Sequence, residues 1–289
     1  MRILVELDNP KATKAPLANR IIQSLIYSNI WVSLAIGAIT QCILLISNCN
    51  NNHFIVLNLS IGFLGYNYIY WIAYLTQPHK LHKLRRQWMK KNQLLILTLI
   101  SSSAVIGALL FLQLPFKIKI GIFVCCSISF LYIIPSKRQA GLRWIPGFKL
   151  FLIAATWTVL TTHMPLWGYS LENYFLIIIA VFFLIIGLTI PFDIRDFNSD
   201  HTQLKTVPLL FGINRAVRLS QLCILSFGII ISFSTPIINI IPTSLFTLSS
   251  IILINRTKLD RSQNYINFII EGLPIIWLIL LYFTNFFLN

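Results

Sequence analysis

Residues 172–200 read ENYFLIIIAVFFLIIGLTIPFDIRDFNSD, an apolar stretch that ends in a short acidic run. From Tyr174 to Phe192 the stretch carries no charged residue, and about 20 predominantly apolar residues let a helix cross roughly 30 Å of hydrocarbon. Continuous apolarity favours a helix over a barrel strand, because barrel strands show alternating segments of about ten residues. Residues 172–192 therefore predict a membrane-spanning helix, with residues 193–200 at its end.

Similar apolar runs occur along the whole chain. Only 11% of the residues are charged and the mean hydropathy is +0.76, whereas about a quarter of the residues in soluble domains are charged. The connections between the runs are too short to form a separate soluble domain. We therefore predict an all-α polytopic membrane bundle of about nine transmembrane helices. Besides 172–192, the runs are 21–47, 54–75, 93–114, 117–135, 147–165, 214–233, 236–255 and 266–287.

The chain is predicted to be one transmembrane domain over residues 1–289, beginning with a polar cytoplasmic segment, residues 1–20. We expect no cleavage after that segment, because the first apolar run is longer than the apolar region of a signal peptide. The net charge of +15 does not indicate a nucleic-acid partner, because the basic residues concentrate in alternate loops, as the positive-inside rule describes. This alternation places the N-terminus in the cytoplasm and the C-terminus outside, and the Ile- and Asn-rich composition favours a bacterial cytoplasmic membrane.

Three of the eight acidic residues lie in the run that follows the sixth apolar segment, at Asp193, Asp196 and Asp200. On a helix, these spacings bring all three side chains within about 60° of one another. Carboxylates next to a bilayer are presumed to be functional, and oxygen ligands suit Mg²⁺, which takes one or two carboxylates together with phosphate oxygens. The alternative is a solvated loop whose acids pair with Arg195 and Lys205.

The acidic run resembles the second aspartate motif of the UbiA superfamily of intramembrane prenyltransferases, D-x-x-D-x-x-x-D at the cytoplasmic end of the sixth of nine helices. The residues after it, 205–212, read KTVPLLFG and are similar to the K-T-x-P-x-x-x-G stretch that usually follows. Residues 131–138, LYIIPSKR, resemble the block of Tyr, Pro and basic residues that family members often carry after the fourth helix. The resemblance covers most of the chain.

The chain departs from the family at the first aspartate motif, N-D-x-x-D-x-x-x-D, which belongs at the end of the second helix. Only the asparagine, Asn67, is present, and Tyr68, Trp71 and Leu75 stand where carboxylates would be. The aromatic residues around Asn67 either line a tunnel or form an interfacial belt, and Asn29 in the first run either binds a phosphate or joins helices. The second metal site of the family therefore has no evident ligands here.

The resemblance implies a transferase that moves an isoprenyl group from its diphosphate to a lipophilic or aromatic acceptor, with Mg²⁺ as cofactor. It implies Asp193, Asp196 and Asp200 as catalytic and metal-binding residues. The diphosphate-binding candidates are Lys137, Arg138, Lys205, Arg195 and Asn67. Because the first motif is degenerate, the alternative is a non-catalytic relative that binds a prenyl phosphate lipid or scaffolds a partner. A transporter or channel is disfavoured, because the sequence shows no convincing internal repeat.

Overall fold

The structure, a computed structural model, describes residues 17–76, 81–133, 147–197, 206–258, 260 and 262–288, without the side chains of 130–133 and 288. These residues form helices joined by short turns, and no strand occurs among them. In the first half of the chain the helices are α1 (Leu17–Tyr27), α2 (Ile30–Ile46), α3 (His53–Thr76), α4 (Lys83–Lys91), α5 (Gln93–Gln113) and α6 (Phe116–Ile133).

The second half continues with α7 (Phe148–Thr158), which passes into a π-helical turn, Val159–His163. The long helix α8 (Tyr174–Arg195) follows, and then α9 (Val207–Phe211), α10 (Ile213–Ser234), a 3₁₀ turn (Ile237–Asn239) and α11 (Ile240–Arg256). The last apolar run divides into a π-helical segment, Tyr265–Ile270, and α12 (Leu273–Leu288). Each of the nine predicted runs thus contains helix.

Six helices of the described part of the chain are long and apolar enough to cross a membrane, and there are seven if the bent pair of α1 and α2 is one span. The all-helical membrane architecture is confirmed, and the count of nine spans stays a prediction. Two of the predicted spans, α6 and α7, are missing from this count. For α7 the cause is local, because it has only 11 residues before the π-helical turn. The bend of 69° between α1 and α2 occurs at Asn29, whose φ of 61° is left-handed.

The helices surround a central space instead of packing into one solid core. Helix α2 packs against α3 on one side and α12 on the other, while α8 packs against both α7 and α10. The π-helical turn after α7 contacts α2 and α3, and the segment Tyr265–Ile270 contacts α8. These contacts close a ring around the space, and the main core lies on its α8–α10–α12 side. There Phe227, Phe246 and Trp277 are fully buried; Phe246 stacks on Trp277, and Phe227 meets both rings edge-on.

Helix α8 runs through Pro191 and ends at Arg195, so the acidic run does not continue as a helix. Asp193 lies in the last turn, Asp196 is the C-terminal capping residue, and Asp200 lies outside the described residues. The helical stripe of three carboxylates that the spacing predicts is therefore broken after Asp193, because the backbone leaves the helix before the stripe is complete.

A candidate binding cavity at one end of the bundle

A cavity of about 240 Å³ lies inside the ring of helices. Five segments meet at one end of this cavity. They are the starts of α2, α7 and the last span, and the ends of α3 and α8. These helix ends therefore lie at one end of the helical bundle. The polar and charged lining residues at this end are Asn29, Tyr66, Tyr70, Arg85, Lys149, Arg195, Asp196, Asn267 and Glu271.

The other end of the cavity is apolar and extends along α2 into the bundle. On α2, lining residues run from Val32 to Ile39, and from Asn29 the cavity follows about ten residues of helix, or about 15 Å at 1.5 Å per residue. The remaining lining residues of this part include Ile153, Trp157, Ile185 and Leu188, with the hydroxyl groups of Thr161 and Thr189 among them. The cavity therefore has the polarity of an amphiphile, with a charged head and an apolar tail.

Arg195 organises the polar end on the α8 side. Its Nε and Nη2 donate to the two carboxylate oxygens of Asp196, each at 2.7 Å. Its Nη1 donates to Asn267 Oδ1 on the last span. The guanidinium carbon lies 5.3 Å from the centre of the Phe192 ring. Because the guanidinium of Arg195 is planar and carries several donors, it retains donor capacity toward the cavity while it holds Asp196.

Asp193 lies one turn before Asp196 and is buried, with 2% of its side chain exposed. Its Oδ1 accepts a hydrogen bond of 2.6 Å from the ammonium of Lys149, which is one-third exposed and lines the cavity. The pair ties the end of α8 to the start of α7. Asp193 itself is not among the lining residues, so the carboxylate acts on the cavity through Lys149.

Arg85, from the short basic helix α4, provides the cation on the α3 side of the cavity. It is 7% exposed, and its guanidinium carbon lies 3.2 Å from the centre of the Tyr70 ring. Its Nη2 donates to Asn29 Oδ1 at 2.5 Å and to the Ile26 carbonyl at 3.2 Å. Its Nε is buried and has no partner among the described residues, which leaves one donor unsatisfied beside the cavity.

Asn67 does not line the cavity but holds its rim in place. Its Nδ2 donates to the carbonyls of Ser28 and Phe63, and its Oδ1 accepts from Asn29 Nδ2 at 3.1 Å. The amide of Asn29 is thereby fixed so that its oxygen accepts from Arg85. Of the two predicted alternatives for Asn29, the structure shows the helix-joining one, together with a place in the cavity wall.

The sequence matches no family model and no curated protein. Solved structures do match. A UbiA homolog from Archaeoglobus fulgidus, bound to GPP and Mg²⁺, superposes with a TM-score of 0.61 at 16% sequence identity, covering 91% of this chain and 98% of that one. The same archaeal homolog bound to Cd²⁺ gives a TM-score of 0.58, with the same identity and coverage.

The chain has the UbiA fold. The resemblance predicted from the second aspartate motif is thus confirmed at the level of the fold, and with it the prediction of an integral membrane protein. A likeness at 16% identity does not carry over the roles of individual residues. Which residues of this chain form a site must be argued from its own geometry.

The structure brings together some of the residues that the sequence singled out and leaves others apart. Arg195 and Asp196 line the cavity, whereas Asp193 and Asn67 support it from behind. Lys137, Arg138, Asp200 and Lys205 lie outside the described residues. Within the described part of the chain, no three acidic, His or Cys side chains form a group that could hold a metal ion.

The positions of the lost first motif do not line the cavity. Tyr68 and Leu75 are 41% and 63% exposed, and the lining residues from α3 are Tyr66 and Tyr70 instead. Tyr66 stacks on Trp157 across the cavity, with ring centres 6.4 Å apart. The tunnel alternative is therefore right for Tyr66 and Tyr70, while Tyr68 is positioned as an interfacial residue would be.

Sequence reasoning missed Arg85, Lys149 and Glu271. Arg85 is one of several basic residues in its loop, and a sequence alone does not separate it from its exposed neighbour Arg86. Lys149 lies near the start of the fifth run, 147–165, among the basic residues that the positive-inside rule explains. For Glu271 a signal existed, because it is the only acidic residue within the run 266–287, and a carboxylate inside a membrane span is presumed to be functional.

Proposed function

We propose that this chain binds an isoprenyl diphosphate in the cavity and transfers the isoprenyl group to a lipophilic acceptor. The single observation that carries the proposal is the polarity of the cavity, which is cationic at one membrane face and apolar toward the bilayer centre. An isoprenyl diphosphate has the same polarity, with a highly charged head on a hydrocarbon tail. The UbiA homolog of the same fold, bound to GPP and Mg²⁺, supports this choice of ligand.

The charges at the polar end fit an anionic head. Arg85, Arg195 and Lys149 bring three cations to the lining, against the two carboxylates of Asp196 and Glu271. Arg195 and Arg85 carry donors in a planar fork, which suits phosphate oxygens, and among the described residues the buried Nε of Arg85 has no partner. In this proposal the leaving diphosphate is stabilised by fixed cations that are already in place before the reaction.

Asp196 is the residue best placed to share a Mg²⁺ with the diphosphate, because it lines the cavity at the end of α8. Asp193 and Asp200 of the same motif complete the proposed ligand set. A set of one or two carboxylates with phosphate oxygens and water is typical for Mg²⁺, which when bound would neutralise the leaving group. The cation pairs at Asp193 and Asp196 mean that any metal must share these carboxylates with Lys149 and Arg195.

The proposed orientation puts the polar end of the cavity at the cytoplasmic face, where a water-soluble diphosphate could enter. The apolar end then faces the bilayer, which holds lipophilic acceptors. We propose accordingly that the chain is a single transmembrane domain with the N-terminus in the cytoplasm, in a bacterial cytoplasmic membrane.

A transfer assay tests the catalytic part. Membranes that contain the full chain are incubated with Mg²⁺ and geranyl diphosphate labelled in the isoprenyl group, and both diphosphate release and labelled lipid products are measured. The proposal expects Mg²⁺-dependent products that are absent from membranes without the chain. Absence of any product and of any diphosphate release, in a chain that still binds geranyl diphosphate, contradicts catalysis.

A second function is favoured by specific contacts. Asp193 and Asp196 are each held by a cation, and residues without a carboxylate stand in place of the first motif, so the cavity could bind a prenyl phosphate lipid without turning it over. This alternative predicts saturable binding that persists in EDTA. The transfer assay separates the two functions.

A further inference from the structure

A second cavity, of about 270 Å³, lies between α1, α4 and the start of α5. It shares no lining residue with the central cavity, so the proposed isoprenyl diphosphate site does not account for it. Arg85 of α4 lines the polar end of the central cavity, and the second cavity lies beside the same short helix. Both cavities are therefore at the same end of the bundle. We call the second one the outer cavity.

Two contacts hold the walls of the outer cavity together. The indole Nε1 of Trp88 on α4 donates to Ser24 Oγ on α1 at 3.2 Å, and the centres of the Trp88 and Tyr27 rings lie 6.2 Å apart. Trp88 and Ser24 both line the cavity. Because these walls are joined before any ligand enters, a ligand has little ordering of side chains to offset when it binds.

One side of the outer cavity carries basic residues. Arg20 of α1 lines it and is exposed. Lys91, which is also exposed, follows Trp88 by three residues on α4, and this spacing puts the two side chains about 60° apart around the helix. Neither Arg20 nor Lys91 forms an ion pair with a residue that the structure describes. The chain has no acidic residue between Asp8 and Glu172, so the helices α1 to α6 supply no counter-charge.

The other side of the outer cavity is apolar. Leu95 and Leu99 line it from α5, about one helical turn apart, and Ile21 lines it from α1. Ile21 is 53% exposed and Leu95 is 49% exposed. Helix α5 is the least buried of the six candidate spans, so its outer face meets the hydrocarbon of the bilayer. The outer cavity thus offers cations at the end of the bundle and apolar surface further along α5.

We propose that the outer cavity binds one anionic phospholipid of the bilayer, with its phosphate against Arg20 and Lys91 and an acyl chain along Leu95 and Leu99. The phosphate supplies the counter-charge that the neighbouring helices lack. A zwitterionic lipid fits less well, because its headgroup brings a cation of its own. Each basic residue next to an anionic membrane surface favours binding by roughly fivefold, so two of them favour an anionic lipid by roughly 30-fold.

The test measures lipid binding to the purified full chain in detergent by native mass spectrometry. The probes are dioleoylphosphatidylglycerol and dioleoylphosphatidylcholine, which have the same acyl chains and differ in the charge of the headgroup. We expect the wild type to bind one phosphatidylglycerol molecule with an affinity at least about 10-fold higher than for phosphatidylcholine. Equal affinities for the two lipids would overturn the proposal.

Two double variants with the same change of net charge locate the headgroup. R20Q/K91Q should reduce the preference for phosphatidylglycerol to within about twofold. R86Q/K90Q removes two exposed cations of α4 that each lie two residues from Trp88, on the opposite face of the helix, and it should keep the preference. Equal losses in the two double variants would show attraction to the basic surface as a whole and would overturn the site.

A pair of substitutions on α5 locates the acyl chain. L99W fills the apolar side of the outer cavity, whereas L97W adds the same side chain at an exposed position that does not line it. In variants whose unfolding temperatures match the wild type, L99W should lower the affinity for phosphatidylglycerol at least about 10-fold, and L97W should change it less than about twofold. Equal affinities in L99W and L97W would contradict an acyl chain in this cavity.

A soluble headgroup separates a lipid site from a phosphate site. Glycerol phosphate carries the same phosphate without acyl chains, and a large molar excess of it should leave phosphatidylglycerol bound. Displacement of the lipid would identify a site for a soluble phosphate instead. Geranyl diphosphate takes no part in these measurements, so the outer cavity and the proposed function are tested independently.

Discussion

Arg85 shows how one buried side chain changes the meaning of a basic loop. Its neighbours on α4, such as Arg86, are exposed and serve the positive-inside distribution, while Arg85 is packed between Tyr70, Tyr27 and Asn29. A guanidinium over an aromatic face gains up to about 2 kcal/mol when it is desolvated. The chain thus places a fixed cation next to the cavity, beside Tyr70 of α3.

Replacing Arg85 should weaken binding of the anionic head. We expect R85Q to raise the Kd for geranyl diphosphate by about 10-fold to 100-fold, the equivalent of about 1.5–3 kcal/mol for hydrogen bonds to a charged group. R86Q removes the same charge from the same helix and serves as the matched control, with an expected change below twofold. Equal effects of the two substitutions in a binding isotherm would show that only the net charge of the loop matters.

The Asp193–Lys149 pair is predicted to contribute to stability as well as to the site. D193N removes the carboxylate that accepts from the Lys149 ammonium, which should lower the free energy of unfolding by about 1–3 kcal/mol, less than for a fully buried pair, because Lys149 is one-third exposed.

The double variant D193N/K149Q removes both members of the pair, and a thermal unfolding measurement in detergent should show that the two substitutions are not additive. If D193N unfolds at the wild-type temperature, the pair does not contribute to stability.

At the scale of the elements, the contact between α2 and the last span depends on a glycine. A Cβ added at Gly272 would lie 2.7 Å from the Phe268 carbonyl oxygen and 2.7 Å from Trp31 Cζ2, and no relaxation of one flexible side chain relieves both contacts. We expect G272A to lower stability by about 1–3 kcal/mol.

The matched control for that substitution is G65A on α3, where a Cβ would meet nothing within 4 Å. It should leave the unfolding temperature unchanged or raise it slightly, because alanine favours helix. A similar loss in both variants would contradict the close packing of Trp31 on the last span.

The elements also show what the sequence could and could not predict. Run length and apolarity were sufficient for the helices, because the bilayer forces every apolar segment of that length to satisfy its backbone internally. The end of α8 at Arg195 was not predictable from the spacing of Asp193, Asp196 and Asp200. This spacing puts the three carboxylates on one face only if the helix continues beyond Arg195. The pairing of Asp193 with Lys149 depends on how α7 and α8 pack, which no local pattern encodes.

The site was predicted in part for the same reason. Asp196 and Arg195 could be located because they follow directly from the end of one apolar run. Arg85 and Glu271 come from segments that are distant in sequence. They line the same cavity because α4 and the last span pack near α2 and α3 in the fold. Glu271 was predictable as a charged residue inside an apolar run. No local sequence pattern distinguishes the buried Arg85 from the exposed Arg86.

For the whole molecule, the central claim is that the ring of helices encloses an amphipathic cavity that holds an isoprenyl diphosphate. Two substitutions on α2 test it. Ala35 lines the cavity and is 5% exposed, while Leu34 next to it is 41% exposed and points outward. A35W fills the cavity with a large side chain, whereas L34W adds the same side chain to the outer face of the helix.

The most direct measurement is equilibrium binding of radiolabelled geranyl diphosphate to the full chain in nanodiscs, with correctly folded variants selected by their unfolding temperatures. We predict saturable binding to the wild type and to L34W. For A35W we predict an affinity at least 10-fold lower, because its side chain fills the cavity. Absence of saturable binding to the wild type, or equal affinity in A35W and L34W, would contradict the claim that the cavity is the binding site.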